Sequence, residues 1–162
     1  RLNEIDGKDY FFVTKERFNN LKNKKFFIET AINFGNHYGS PYKNLKTFKK
    51  NQILFDIDWK GARKIRKKVD KNDIIDFFIL PPSIKELKKR LVKRGRDKKD
   101  DIDLRLSYAI KEISHYKEYS YVLINQNVQQ TVKEISDIIK TSLIVEKNRK
   151  LTERKIKSLI NI

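Results

Sequence analysis

Asp56 and Asp58 flank Ile57 in the run Phe55-Asp56-Ile57-Asp58-Trp59-Lys60-Gly61-Ala62, directly after the apolar residues Ile53 and Leu54. Residues two apart on a strand share a face, so an extended Gln52–Asp58 segment would point both carboxylates the same way. They would stand at its carboxyl end, where open α/β sheets bind ligands. The pair could equally cap a helix starting at Trp59, and the two roles are compatible. A third acid, Glu29, lies inside Phe26-Phe27-Ile28-Glu29-Thr30, a carboxylate in an apolar run. Taken alone, such a residue is more often exposed on an edge strand. Arg94, in Lys93-Arg94-Gly95-Arg96, and Arg105, in Asp103-Leu104-Arg105-Leu106, read in isolation as solvated surface charges.

Other chemistries are excluded by what the 162 residues lack. There is no cysteine, hence no disulfide framework and no thiolate metal site. Two histidines, His37 and His115, are too few for a histidine-based zinc centre. A phosphate-cradling P-loop needs closely spaced glycines followed by Lys and Ser or Thr. The five glycines, Gly7, Gly35, Gly39, Gly61 and Gly95, contain no such pair, and Gly7-Lys8 continues into Asp9. The net charge of +17 suits a nucleic-acid or membrane-surface binder. The 28 lysines against 10 arginines are dispersed between apolar positions rather than gathered in one arm. This pattern reads as compositional bias, so neither a nucleic-acid nor a membrane partner is expected. No apolar run is long enough to cross a bilayer and no signal-peptide pattern opens the chain, so a cytoplasmic protein is expected.

The elements that must position these residues alternate. Strands are expected over Asp9–Val13, Lys25–Asn33, Gln52–Asp58, Asp73–Leu80 and Tyr119–Asn125. Helices are expected over Lys15–Leu21, capped by Thr14, and over Tyr42–Asn51 and Trp59–Val69. Others follow Ser83 as far as Arg94, with Glu86 completing a capping box, and span Asp100–Tyr116 and Val128–Val145. Gly35–Pro41 reads as a turn-rich loop, and the basic tail from Glu146 as a terminal helix. Strands alternating with helices argue an α/β fold with a parallel sheet.

Five stretches, in this order and spacing, resemble guanylate kinase. They are Gly7-Lys8-Asp9-Tyr10-Phe11-Phe12-Val13, Phe27-Ile28-Glu29-Thr30-Ala31, Phe34-Gly35-Asn36-His37-Tyr38-Gly39-Ser40, Phe55 to Ala62, and Leu80-Pro81-Pro82-Ser83. The resemblance runs from Arg1 to about Lys140. It implies transfer of the ATP γ-phosphoryl group to GMP, with Mg2+ accompanying ATP. It also implies a P-loop NTPase-type three-layer parallel-sheet core, a small α+β GMP-binding subdomain and a helical lid. The first strand and the P-loop would lie upstream of Arg1, in a longer protein.

By resemblance, Glu29 holds guanine, with Ser40 and Asp58 completing the base contact. Tyr10, Tyr38 and Arg1 would bind the GMP phosphate, although Asn3 stands where the family motif has glycine. Asp56 would face the magnesium and phosphates. Arg94 and Arg105 would fold over the transferred group, although the glycine that precedes the first of these arginines in the family is Lys93 here. Asn125 matches a position near adenine, and no residue is expected to ligate a metal directly. The implied layout is a GMP-binding subdomain over 1–50, core over 51–93, lid over 94–113, and the rest of the core with a terminal helix over 114–162. GMP and ATP are the expected partners, and the assembly a monomer or homodimer. Two rivals stay open at this point: an inactive guanylate-kinase-like protein-interaction domain and a basic nucleic-acid-binding protein.

Overall fold

The computed structural model describes residues 4–33, 35–43, 52–93 and 99–160, with 99–101 described by backbone alone. The chain divides between Ile74 and Ile75 into two compact units.

In the first unit, Thr14 opens helix α1 (Lys15–Asn23), its hydroxyl accepting the Arg17 N–H at 3.2 Å. This satisfies one of the amides that a helix start leaves unpaired. Strands β1 (Phe27–Asn33) and β2 (Asn36–Pro41) form an antiparallel hairpin. Its register sets Glu29 opposite Ser40, Ala31 opposite Tyr38 and Asn33 opposite Asn36. The expected Gly35–Pro41 loop is therefore a strand. Gly35 takes φ +78°, a backbone conformation that glycine reaches without penalty, and it tightens the turn enough for the following residues to pair back. Phe18 is buried against Phe27, the ring centroids 4.9 Å apart and nearly parallel. The Phe27 side chain also lies over Gly39, where a Cβ would meet its ring at 2.8 Å.

The expected Asp9–Val13 strand is not present: a single bridge joins Asp6 to Tyr10. Local acceptors take two of its amides instead, the Ile5 carbonyl accepting from Asp9 N–H and the Asp6 carboxylate from Phe12 N–H. Short acidic side chains compete with ladders in this way. Phe11 is 81% exposed. Gln52–Asp58 is likewise not a buried strand. It runs in no ladder among the described residues, with Ile53, Phe55 and Ile57 half-buried and Leu54 90% exposed. The alternation of an extended chain is there, but the continuous burial read from its apolar run is not. Of the expected Tyr42–Asn51 helix, Tyr42 and Lys43 are helical and residues 44–51 lie outside the described residues.

Helix α2 (Trp59–Arg66) closes this unit and is shorter than the expected Trp59–Val69. Ala62 and Ile65 are its buried apolar residues. Lys64 donates to the carbonyl of Thr30, and Lys68, just beyond the helix, to that of Ile28. These ammonium groups cover β1 carbonyls and tie α2 to the strand.

In the second unit, β3 (Phe77–Leu80) and β4 (Tyr121–Ile124) pair in parallel, Phe77 opposite Tyr121 through Leu80 opposite Ile124. This is the parallel pairing of an α/β fold. Ser83 caps α3 (Ile84–Lys93) through the Glu86 N–H at 3.1 Å, as its capping-box position requires. Helix α4 (Lys99–Ile113) buries Ile102. Helix α5 runs unbroken over Val128–Leu159, so the helix and the separate tail expected from sequence are one element. No Gly or Pro interrupts Val128–Leu159, and within the tail part Arg149 pairs with Glu146 and Glu153 at helical spacing.

Candidate functional site

Glu29 stands in the middle of β1 and is only 4% exposed. The β1–β2 register brings Ser40 beside it, and the Ser40 hydroxyl donates to Glu29 Oε1 at 2.8 Å. Glu29 Oε2 is buried and accepts no hydrogen bond. A buried polar atom without a partner costs about 1–3 kcal/mol. This oxygen is where a ligand's donor would be most strongly rewarded.

The second acid comes from the other side. Asp58 N-caps α2, its Oδ1 accepting the Gly61 N–H at 2.7 Å. The capping role read for the Asp56–Asp58 pair thus falls to Asp58. A Cβ on Gly61 would lie 3.1 Å from Glu29 Oε2 and 3.4 Å from Asp58 Oδ1. The bare glycine therefore lets two carboxylates from different elements bracket one space. Asp56, two residues earlier, is exposed and takes no part in this bracket.

Tyr38, opposite Ala31 on the hairpin, meets Tyr10 edge to face with ring centroids 5.7 Å apart. The site in the first unit thus gathers Glu29, Ser40 and Asp58, with Tyr38 on the same hairpin and Tyr10, from the segment before α1, packed against it. It offers acceptors to neighbouring donors on a ligand and phenol hydroxyls to an anion.

Of the remaining expected site residues, Arg1 and Arg94 lie outside the described residues. Arg105 is half-buried on α4 of the second unit. Asn125 follows β4. Its N–H donates to Leu80 O at 2.7 Å, its carbonyl accepts from Arg90 at 3.0 Å, and its side-chain Oδ1 is buried without a partner. Among the described residues, no group of three or more His, Asp or Glu is placed to hold a metal ion. No helix among them is long and apolar enough to cross a membrane.

Gly61 is not among the residues expected from sequence to shape the site. Its signal is readable, a glycine in the first turn of a helix, where it is unfavourable unless something approaches closely.

Comparison with known proteins gives one consistent picture. The family model described as guanylate kinase matches residues 1–142. The guanylate kinase of Haemophilus influenzae is 42% identical over 149 residues, which is 90% of this chain and 71% of that protein. The guanylate kinase of Ehrlichia ruminantium is 39% identical over 160 residues, 98% of this chain and 76% of the relative. The crystal structure of guanylate kinase from Anaplasma phagocytophilum superposes with a TM-score of 0.73 at 38% identity, over 87% of this chain and 69% of that one.

Proposed function

This chain belongs to the guanylate kinase family, and on that premise we propose that the pocket formed by Glu29, Ser40 and Asp58 holds the guanine base of GMP. The activity is ATP:GMP phosphotransfer, giving ADP and GDP. The observation that carries the pocket assignment is the buried, unpartnered Oε2 of Glu29 beside the Asp58 carboxylate. Guanine presents N1–H and its 2-amino group as adjacent donors, and one carboxylate can accept both. Adenine has no such pair. A site built to accept a donor rejects an analogue lacking it, because its own buried acceptor is then left unpaired.

Tyr10 and Tyr38 donate their hydroxyls to the GMP phosphate, with the Arg1 guanidinium as a bidentate partner. Asp56 faces the transferring phosphates. Magnesium enters bound to ATP as part of that substrate. An exposed Asp56 suits an ion that keeps several waters and takes few protein ligands. Arg94 and Arg105 stabilise charge on the moving phosphoryl group, and Asn125 sits towards adenine. Phosphoryl transfer needs positioning and electrostatic stabilisation more than a strong base, which is what these residue types supply. The corresponding layout is a GMP-binding subdomain over 1–50, a parallel-sheet core over 51–93 and 114–162, and a lid over 94–113.

The presence of every pocket acid favours the enzyme over an inactive interaction domain of the same fold. The test is ADP release by the full-length protein, with GMP and then AMP as acceptor. GMP-dependent turnover with little from AMP supports the assignment. Equal use of the two would remove the guanine pocket from it. Affinity for nucleic acid falling steeply with salt, with no GMP dependence, would support the basic-binder reading instead.

A further inference from the structure

We propose that Asn33 is a positioning residue that fixes the orientation of Asp58 for base recognition, an inference that rests on the pocket assignment above. Asn33 is the last residue of β1 and is half-buried. Alternation along the strand puts Glu29, Ala31 and Asn33 on one face. Asp58 Oδ1 is held by the Gly61 N–H, but one bond leaves the carboxylate free to turn about its last torsion. With its amide nitrogen towards Asp58, Asn33 donates to Oδ2 at 3.1 Å and to the Ile32 carbonyl at 3.0 Å. The opposite orientation would set the amide oxygen against a carboxylate and a carbonyl, acceptors only, so electrostatics selects the donating one. Both Asp58 oxygens are then tied, one to α2 and one to the hairpin, and each keeps acceptor capacity for a ligand. The bond is charge-assisted, in the stronger class of protein hydrogen bonds. The strand face that carries the first base-reading acid thereby aims the second, before any ligand arrives. Such preorganisation raises affinity by removing the cost of ordering the group on binding.

The test is steady-state kinetics of the full-length enzyme with Asn33→Leu, Asp58→Asn and the double variant. Asn33→Leu should raise the KM for GMP about three- to tenfold, the worth of one such hydrogen bond made indirectly. The KM for ATP and kcat should stay near normal, a split that a general loss of structure would not produce. In the Asp58→Asn background, Asn33→Leu should add nothing further, because the group it positions is already altered. A normal GMP KM in Asn33→Leu, or full additivity with Asp58→Asn, overturns the proposal. Should Asn33→Leu melt early, Asn33→Ser carries the same test, since its short hydroxyl keeps the turn polar without spanning the distance. Glu29→Gln serves as the control. If it loses GMP preference while Asn33→Leu is normal, only the role of Asn33 fails. If it is itself normal, the pocket fails and Asn33 with it.

Discussion

Replacing Glu29 by Gln tests the pocket by changing one atom. The side chain keeps its shape and its 4% exposure, and an amide oxygen can still accept the Ser40 hydroxyl now bonded at 2.8 Å. The amide nitrogen must then occupy the place of Oε2, the oxygen that has no partner. Against guanine it puts a donor where two donors arrive, so the bidentate contact is lost. Such a contact discriminates by about 1–3 kcal/mol, which is roughly 5- to 150-fold in affinity. The loss should appear as a higher KM for GMP and a reduced preference for GMP over AMP, with the KM for ATP unchanged. The free protein should respond in the opposite sense. A neutral amide is cheaper to bury than an unpaired carboxylate oxygen, so the variant should melt no lower than the parent without nucleotide, and higher if the orphan atom is costly. ADP release with each acceptor and a thermal melt without ligand measure both effects. An unchanged GMP/AMP preference refutes the reasoning, whatever happens to stability.

Gly61→Ala should weaken GMP, as one methyl group 3.1 Å from Glu29 Oε2 crowds that oxygen and makes the carboxylate shift; unchanged GMP binding by calorimetry would show that the space beside Gly61 is not used. Arg94→Ala and Arg105→Ala should lower kcat with little change in the KM for GMP, since their partner charge develops during transfer. A pure KM effect would remove them from that role. At the far end of the chain, hydrogen bonds from Arg149 and then Lys150 hold the Glu146 carboxyl down to about 2 from its ordinary 4.5. The depressed value means that this contribution to α5 is fully present above about pH 4.5 and is lost as pH falls through about 2. Carboxyl NMR of Glu146 should therefore show it still ionised at about pH 3, and a midpoint at its ordinary value would mean that the exposed pairs do not form.

Much of the site was legible in the chain because its signals are local. Thr14 and Ser83 cap helices through amides three residues on, a distance set by helix geometry alone. Glu29 in its apolar run and the spacing Asp56-Ile57-Asp58 marked acids worth following. The order of the five stretches carried the family. Two segments depart from what their composition implies, each for a physical reason. Asp9–Val13 looks β-forming by composition, but the Ile5 carbonyl and the Asp6 carboxylate capture the Asp9 and Phe12 amides that a ladder would need. The glycines around Tyr38 suggested a loop, because composition cannot tell a turn followed by a strand from a longer irregular stretch.

The sequence by itself determined the helix caps, the family and the list of chemically capable residues, since each depends on neighbours within a few positions or on ordered motifs. Only the tertiary structure decided which of them work together. Pairing register placed Ser40 on Glu29, eleven residues away, and left one Glu29 oxygen without a partner. The packing of α2 on β1 brought Asp58 to the same space and recruited Asn33, twenty-five residues before it, to hold that acid in place. Register and packing are set by the sum of many weak contacts across the chain, and no single stretch of sequence contains that sum.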